Sequence, residues 1–478
     1  MALSRLVCAC SLILLYQSQP LVAEPAGLDL TALDRYVAAP DSNYRYELSQ
    51  TITGDDYVTF IVNMTSQKYL TKKEVNLPVW EHVMTITVPK KVTSKVGYLF
   101  VTGGEKGDPL RDAAPTWNID MARLTGTVVT TLYMVPNQPL VFTNDANTSR
   151  IEDSIVAYTW DKYLRSGDEK WPLRLPMTKA VVRAMDTVSN LTASETGGGI
   201  EVQKFVVAGA SKRGWATWTT AAVDKRVIAI VPIVIDVLNL EPSFKHHFEV
   251  YGKFAAAVDD YSELGIMQWI DTPEYRALMK LVEPYEYRDR LMLPKYIVSA
   301  TGDQFFLPDS WQFYWSGLIG EKHMRYVANA DHSLADTDAL NSVMAWYHAI
   351  VNNVPVPRYS WDVAKDGTIS VLTLDNPLSV TLWVAHNPNA RNFMQNVIGN
   401  AYKPTPLKEV EPGRYTVKPE VPHKGHIAYF VEMTYASGLE VPFKFSTGVK
   451  ILPDTLKYSW QKRAVSSSAP SPPKVIVN

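Results

Sequence analysis

The run Phe205-Val206-Val207-Ala208-Gly209-Ala210-Ser211-Lys212-Arg213-Gly214-Trp215-Ala216-Thr217 constrains this chain more than any other stretch. A short apolar segment stops at small residues, a serine follows, and the next residues can be helical. The pattern predicts a buried strand, a sharp turn with Ser211 at its apex and a helix leading away. Such a turn excludes bulk beside the serine, and Gly209, Ala210 and Gly214 are small where the backbone would crowd. The usual spacing is Gly-x-Ser-x-Gly; here Arg213 holds the second glycine's place and Gly214 follows one residue later. An ordinary strand-helix turn with a bystander serine would read the same way, so residues further along must decide.

Strands and helices alternate around this turn. Tyr57 to Tyr69 and Val83 to Val88 are rich in β-branched and aromatic residues and predict strands. Val96 to Val101 and Val227 to Ile235 are nearly all apolar, as strands buried on both faces are, and Gly126 to Leu132, which mixes Val and Leu with Thr, is read as another buried strand. Apolar spacing predicts helices over Ile151 to Arg165 and Met177 to Val188. Two more strands follow, Pro294 to Ala300 and Met324 to Ala328, with a helix around Ser310 to Leu318 between them and another over Leu334 to Asn352. This rhythm predicts an α/β fold with a mostly parallel sheet covered on both faces. The segment 236–289 interrupts it with many aromatic rings, Trp269 and Tyr275 among them, and reads as a helical cap inserted above the strand ends, with a ring such as Trp269 at the pocket. After Val354-Pro355-Val356-Pro357 short alternating runs predict a β-sandwich over 356–455. Residues 456–478 form a Ser/Pro-rich tail, for which disorder is expected.

The first 23 residues read as a secretory signal, with Arg5 before an apolar core too short to span a bilayer comfortably. Residues 24–355 would then be the first mature domain. Both cysteines, Cys8 and Cys10, fall in the leader, so a mature chain would hold no disulfide and no thiol nucleophile. Sequons at Asn63, Asn147 and Asn190 fit a glycosylated product of the secretory route. A net charge of −2 offers no basic field for nucleic acid. Adjacent His246 and His247 would not share a helix face, so no metal site is expected, nor any cofactor.

A serine hydroxyl needs a base to take its proton and an acid to orient that base. In chain order the candidates are Ser211, Asp303 and His332, each directly after a predicted strand, which is the order of an α/β-hydrolase. Asp236 also ends a strand and is the alternative acid; Gly302 gives Asp303 its turn and favours the later position. Thr102-Gly103-Gly104-Glu105 follows a buried strand, so an oxyanion would meet the amide of Lys212 and that of Gly104 or Glu105. Arg213 would either bind a substrate carboxylate or pin the helix through a salt bridge, the second being favoured.

Three stretches, Gly209 to Trp215, Ala300-Thr301-Gly302-Asp303-Gln304-Phe305-Phe306-Leu307-Pro308-Asp309-Ser310 and Asn329-Ala330-Asp331-His332-Ser333, resemble the PhoPQ-activated pathogenicity-related family. The similarity spans about residues 30 to 455. It implies an exported α/β-hydrolase core with a following β-domain, and it brings in a secreted autocrine proliferation repressor of social amoebae. The Lys-Arg-Gly after the serine is also similar to glucuronoyl esterases over those few residues. The expectation is therefore a secreted serine hydrolase acting on a small-molecule or peptide ester or amide. The alternative is a secreted signalling or binding protein, with a cell-surface partner, on a hydrolase scaffold.

Overall fold

The computed structural model describes residues 30–108, 113 and 115–461. The leader with its two cysteines and residues 462–478 of the tail lie outside the described residues.

A nine-stranded sheet forms the centre, in the order β1-β2-β3-β5-β4-β8-β9-β10-β11. Its strands are β1 (Arg45–Thr53), β2 (Tyr57–Lys68), β3 (Val79–Pro89), β4 (Val96–Val101), β5 (Val129–Leu132), β8 (Lys204–Ala210), β9 (Val227–Ile233), β10 (Lys295–Ala300) and β11 (Lys322–Val327). Two short strands, β6 (Leu140–Val141) and β7 (Ser149–Arg150), pair only with each other. From β5 to β11 every pairing is parallel. At the other end β1, β2, β3 and β5 pair antiparallel, so the parallel sheet expected from sequence continues into an antiparallel flank. This order, with β1 and β3 reversed and a serine turn after a central strand, is that of an α/β-hydrolase.

The continuous apolar run of β8 follows from its place in the sheet. Phe205 and Val207 enter one buried cluster, and Val206 and Ala208 enter the other, so neither face can be polar. On the first face lie α1 (Ala32–Ala38), α3 (Glu152–Ser166), α4 (Arg174–Ala193) and α5 (Lys212–Val223); on the second lie α2 (Thr116–Thr125) and α9 (Ala339–Asn352).

Between β9 and β10 the chain forms α6 (Leu240–Tyr251), α7 (Asp259–Glu263), α8 (Pro273–Val282) and three 3-10 turns. The start of α8 is set locally: the Thr272 hydroxyl accepts the Tyr275 amide at 3.1 Å, and Pro273 takes the first helical position, where its missing N–H costs nothing. Tyr275, Leu278, Met279 and Val282 then fall on one buried face. The helix expected near Ser310 to Leu318 is instead two 3-10 turns, Ser310–Phe313 and Trp315–Gly317.

Beyond α9 two further sheets form. One is β12 (Tyr359–Val363), β13 (Ile369–Thr373) and β16 (Arg414–Val417). The other holds β14 (Ser379–Asn387), β15 (Lys403–Pro406), β17 (His426–Tyr435), β18 (Phe443–Ser446) and β19 (Lys450–Leu452). Ile369, Val371, Val431 and Met433 from these sheets join the same buried cluster as Val206 and Trp346, so this part packs directly on the central sheet. Among the described residues no helix is long and apolar enough to cross a membrane.

Candidate active site

Ser211 joins β8 to α5 with φ +56° and ψ −127°, a backbone region that a residue with a side chain seldom occupies. Its own amide donates to Ile233 O at 2.8 Å, and its carbonyl accepts the Trp215 amide at 3.0 Å, so the turn is held from both sides. The neighbouring glycines show why bulk is excluded. A Cβ on Gly209 would lie 2.7 Å from Arg213 O, and one on Gly214 would lie 2.8 Å from Gly209 O. Gly214 therefore meets the crowding that the usual second glycine would meet, one residue later in the chain.

Asp303 and His332 follow β10 and β11, on the same edge of the sheet as Ser211. The carboxylate can only accept, so His332 Nδ1–H donates to Asp303 Oδ2 at 2.8 Å and Nε2 is left as the ring's acceptor. The other oxygen, Asp303 Oδ1, accepts the amides of Phe305 (2.8 Å) and Phe306 (3.3 Å). The turn before it needs Gly302, since a Cβ there would meet Gln395 N at 2.8 Å and Ala330 O at 2.9 Å. Asp331, beside the histidine, turns away and accepts from Ser333.

Asp236, the alternative acid, is not hydrogen-bonded to His332. Its oxygens accept the hydroxyls of Tyr314 and Tyr326 at 2.5 Å each. Burial raises it to about 7, against the two tyrosine bonds, which favour the charged form.

Two cations directly after the serine pose a problem, because the N-terminus of a helix is already electropositive. Carboxylates at the start of α3 solve it. Lys212 Nζ lies 2.8 Å from both Glu152 and Asp153. Arg213 grips Glu152 with both terminal nitrogens, at 2.6 and 2.7 Å, and its Nε donates to Val135 O. Burial alone would push Glu152 up, but Arg213 and Lys212 outweigh it and hold it at about 2. Of the two readings of Arg213, the structure shows the salt bridge. Glu152 and Asp153 were missed in the sequence; two buried cations opening a helix are the signal that acids must stand opposite.

For an oxyanion, the Lys212 amide sits in the first turn of α5, where helix amides have no intrahelical partner. The Glu105 amide is already engaged with Asp108 Oδ2 at 2.8 Å, which removes it as the second donor. The Gly104 amide, at φ +125°, carries no hydrogen bond among the described residues.

A narrow cavity of about 40 Å3 opens beside Ser211. Phe305 and Phe306 line it and also pack on the His332 ring, with centroids at 4.3 and 6.0 Å; His332 itself does not line it, and among the described residues no hydrogen bond joins His332 to Ser211. The inserted segment contributes Phe244, Tyr261 and Tyr275. Trp269 is not among its lining residues; that ring is buried in the apolar cluster shared with the helices of the first face. His246 bonds Asp309 at 3.0 Å, and His247 accepts the Ala255 amide at 3.0 Å. The sequon residues Asn63, Asn147 and Asn190 are all exposed.

Comparison with known proteins places the chain. Residues 33–394 match the model of the PhoPQ-activated pathogenicity-related protein family. The chain belongs to this family. A relative from Dictyostelium discoideum, autocrine proliferation repressor protein A, is 36% identical over 466 residues, covering 91% of this chain and 92% of the relative. Among solved structures, acetyl xylan esterases from a Thermoanaerobacterium and a Paenibacillus species are similar at 12% and 13% identity. Each comparison covers 67% of this family member and 91% of the esterase, with TM-scores of 0.46 and 0.47. At that distance the fold assignment rests on the strand order and the serine turn.

Proposed function

We propose that this family member is a serine hydrolase of ester or amide bonds, with Ser211 as nucleophile, His332 as general base and acid, and Asp303 holding His332. The observation that carries this reading is the 2.8 Å bond from His332 Nδ1 to Asp303 Oδ2, beside Phe305 and Phe306, which line the cavity together with Ser211. Ser211 Oγ attacks the carbonyl carbon while its proton passes to His332 Nε2. The resulting oxyanion is met by the amides of Lys212 and Gly104. Collapse breaks the bond to the leaving group, which takes the proton from His332. Water then attacks the acyl-serine, gives a proton to His332, and releases the acid as the serine is restored. Asp303 fixes the tautomer that keeps Nε2 free.

In this reading 236–289 is a cap that shapes the pocket, and 356–455 is a β-sandwich module. The leader at 1–23 and the three exposed sequons support secretion with glycans on Asn63, Asn147 and Asn190. A second reading, a secreted signal carried on a hydrolase scaffold, is favoured by one observation: the Dictyostelium relative is named a proliferation repressor.

Turnover of short-chain aryl esters by the mature chain tests the first reading. Wild-type turnover that is lost in Ser211→Ala is the expected result. Equal turnover by both would remove Ser211 from the chemistry.

A further inference from the structure

The cavity beside Ser211 contains a cation that the chemistry above does not use. Arg174, the first residue of α4, lines it and is 97% buried, its relative exposure being 3%. A guanidinium stays charged, and a buried charge ordinarily finds a carboxylate. Arg174 has none within ion-pairing distance among the described residues. Asp153, the acid at the same cavity, is taken by Lys212 Nζ at 2.8 Å and by the Tyr261 hydroxyl at 2.9 Å. Glu152 is taken by Lys212 and Arg213. Three cations, Lys212, Arg213 and Arg174, thus share two carboxylates, and Arg174 is the one left over.

What Arg174 does touch leaves one edge free. One face lies over the Trp215 ring, 4.3 Å from its centroid, and Nη1 donates to Lys212 O at 3.1 Å. Nε is buried without a partner, and Nη2 carries no hydrogen bond among the described residues. The Nε–Nη2 edge is the side that grips a carboxylate with two parallel bonds. The carbonyl that Nη1 holds belongs to the residue following Ser211, and Arg174 and Ser211 line the same cavity. Apart from Asp153, Ser211, Lys212 and the phenols of Tyr261 and Tyr275, the lining is apolar, with Ile235, Val237, Phe244 and Met267 in it.

We propose that Arg174 makes this a site for acidic acyl groups: the substrate is an ester or amide whose acyl part ends in its own carboxylate, seated on the Nε–Nη2 edge. This rests on the hydrolase reading of Ser211. The acyl part is assigned to the cavity because it stays on the serine while the leaving group departs to solvent. The apolar side chains around the Arg174 edge suit a short chain with one carboxylate.

The test uses the full mature chain and two aryl esters of matched length, the hemisuccinate and the valerate, which differ in the terminal carboxylate. Wild type should prefer the hemisuccinate by about 10- to 100-fold in kcat/KM, the range of a charge-assisted hydrogen-bond pair. Arg174→Met should abolish that ratio, and Arg174→Lys should restore only part of it, since an ammonium supplies charge without the fork. A wild-type preference for the valerate, or a ratio unchanged in both variants, overturns the proposal. Should Arg174→Met not fold, the wild-type ratio and Arg174→Lys decide. If neither ester is turned over, the hydrolase reading fails separately, and calorimetric titration of succinate decides for Arg174. Binding by wild type that weakens in Arg174→Lys supports the anion site, and no binding by wild type overturns it.

Discussion

Asp236 and Asp303 end neighbouring parallel strands, and both are almost fully buried, at 3% and 4% exposure. By position they are near equivalents. Their partners separate them. Asp303 holds an imidazole on one oxygen and two backbone amides on the other, so its carboxylate is fixed in place. Among the described residues Asp236 accepts from two phenols, and burial raises it to about 7. A strand end supplies an address at the catalytic edge; what stands opposite the carboxylate decides whether it orients a base or braces the core.

The comparison breaks most sharply on Asp303→Asn. The amide would favour the wrong histidine tautomer, and turnover should fall by about 10⁴-fold with the fold intact by circular dichroism. Asp236→Asn should leave turnover near wild type. Exchanged outcomes would move the orienting acid to the earlier strand.

Smaller effects sharpen the bracing role. Tyr314→Phe or Tyr326→Phe should lower stability by about 1–3 kcal/mol, because each removes a buried donor to Asp236. Denaturant unfolding measures this, and ester turnover at a permissive temperature should persist. Equivalent variants at Asp303 would instead act on rate.

The smallest effect is a pH slope. The ordinary value for an aspartic acid is 3.8, and the folded chain holds Asp236 at about 7. Between those values the unfolded chain has released the proton while the folded chain keeps it. Stability therefore falls as pH rises through this window, by at most about 1.4 kcal/mol per unit from this group. Glu283, raised by burial to about 8, adds to the same trend from its ordinary 4.5. Asp236→Asn should flatten its share of the slope between pH 4 and 7, measured by unfolding midpoints; an unchanged slope would show that Asp236 does not titrate there.

Local pattern made much of this legible. The all-apolar strands, the small residues around Ser211 and the strand-end placement of Asp303 and His332 are visible because backbone crowding and burial write directly into residue type. The antiparallel flank was less visible: β1 alternates exposed and half-buried residues and carries little apolar signal. The choice between Asp236 and Asp303 depended on Tyr314 and Tyr326, which reach Asp236 across 78 and 90 residues. The aromatic composition of 236–289 points to a ring such as Trp269 at the pocket, yet composition does not say which ring faces inward. Glu152, Asp153 and Arg174 come from helices that pack beside the serine turn only in the folded chain.

The most direct test is site-mapped labelling with a fluorophosphonate probe. The mature chain is treated with the probe, digested, and the modified peptide identified by mass spectrometry. The account predicts a single adduct on Ser211, absent in Ser211→Ala and strongly slowed in His332→Ala. No adduct on the wild-type chain, or an adduct that persists in Ser211→Ala, would contradict it.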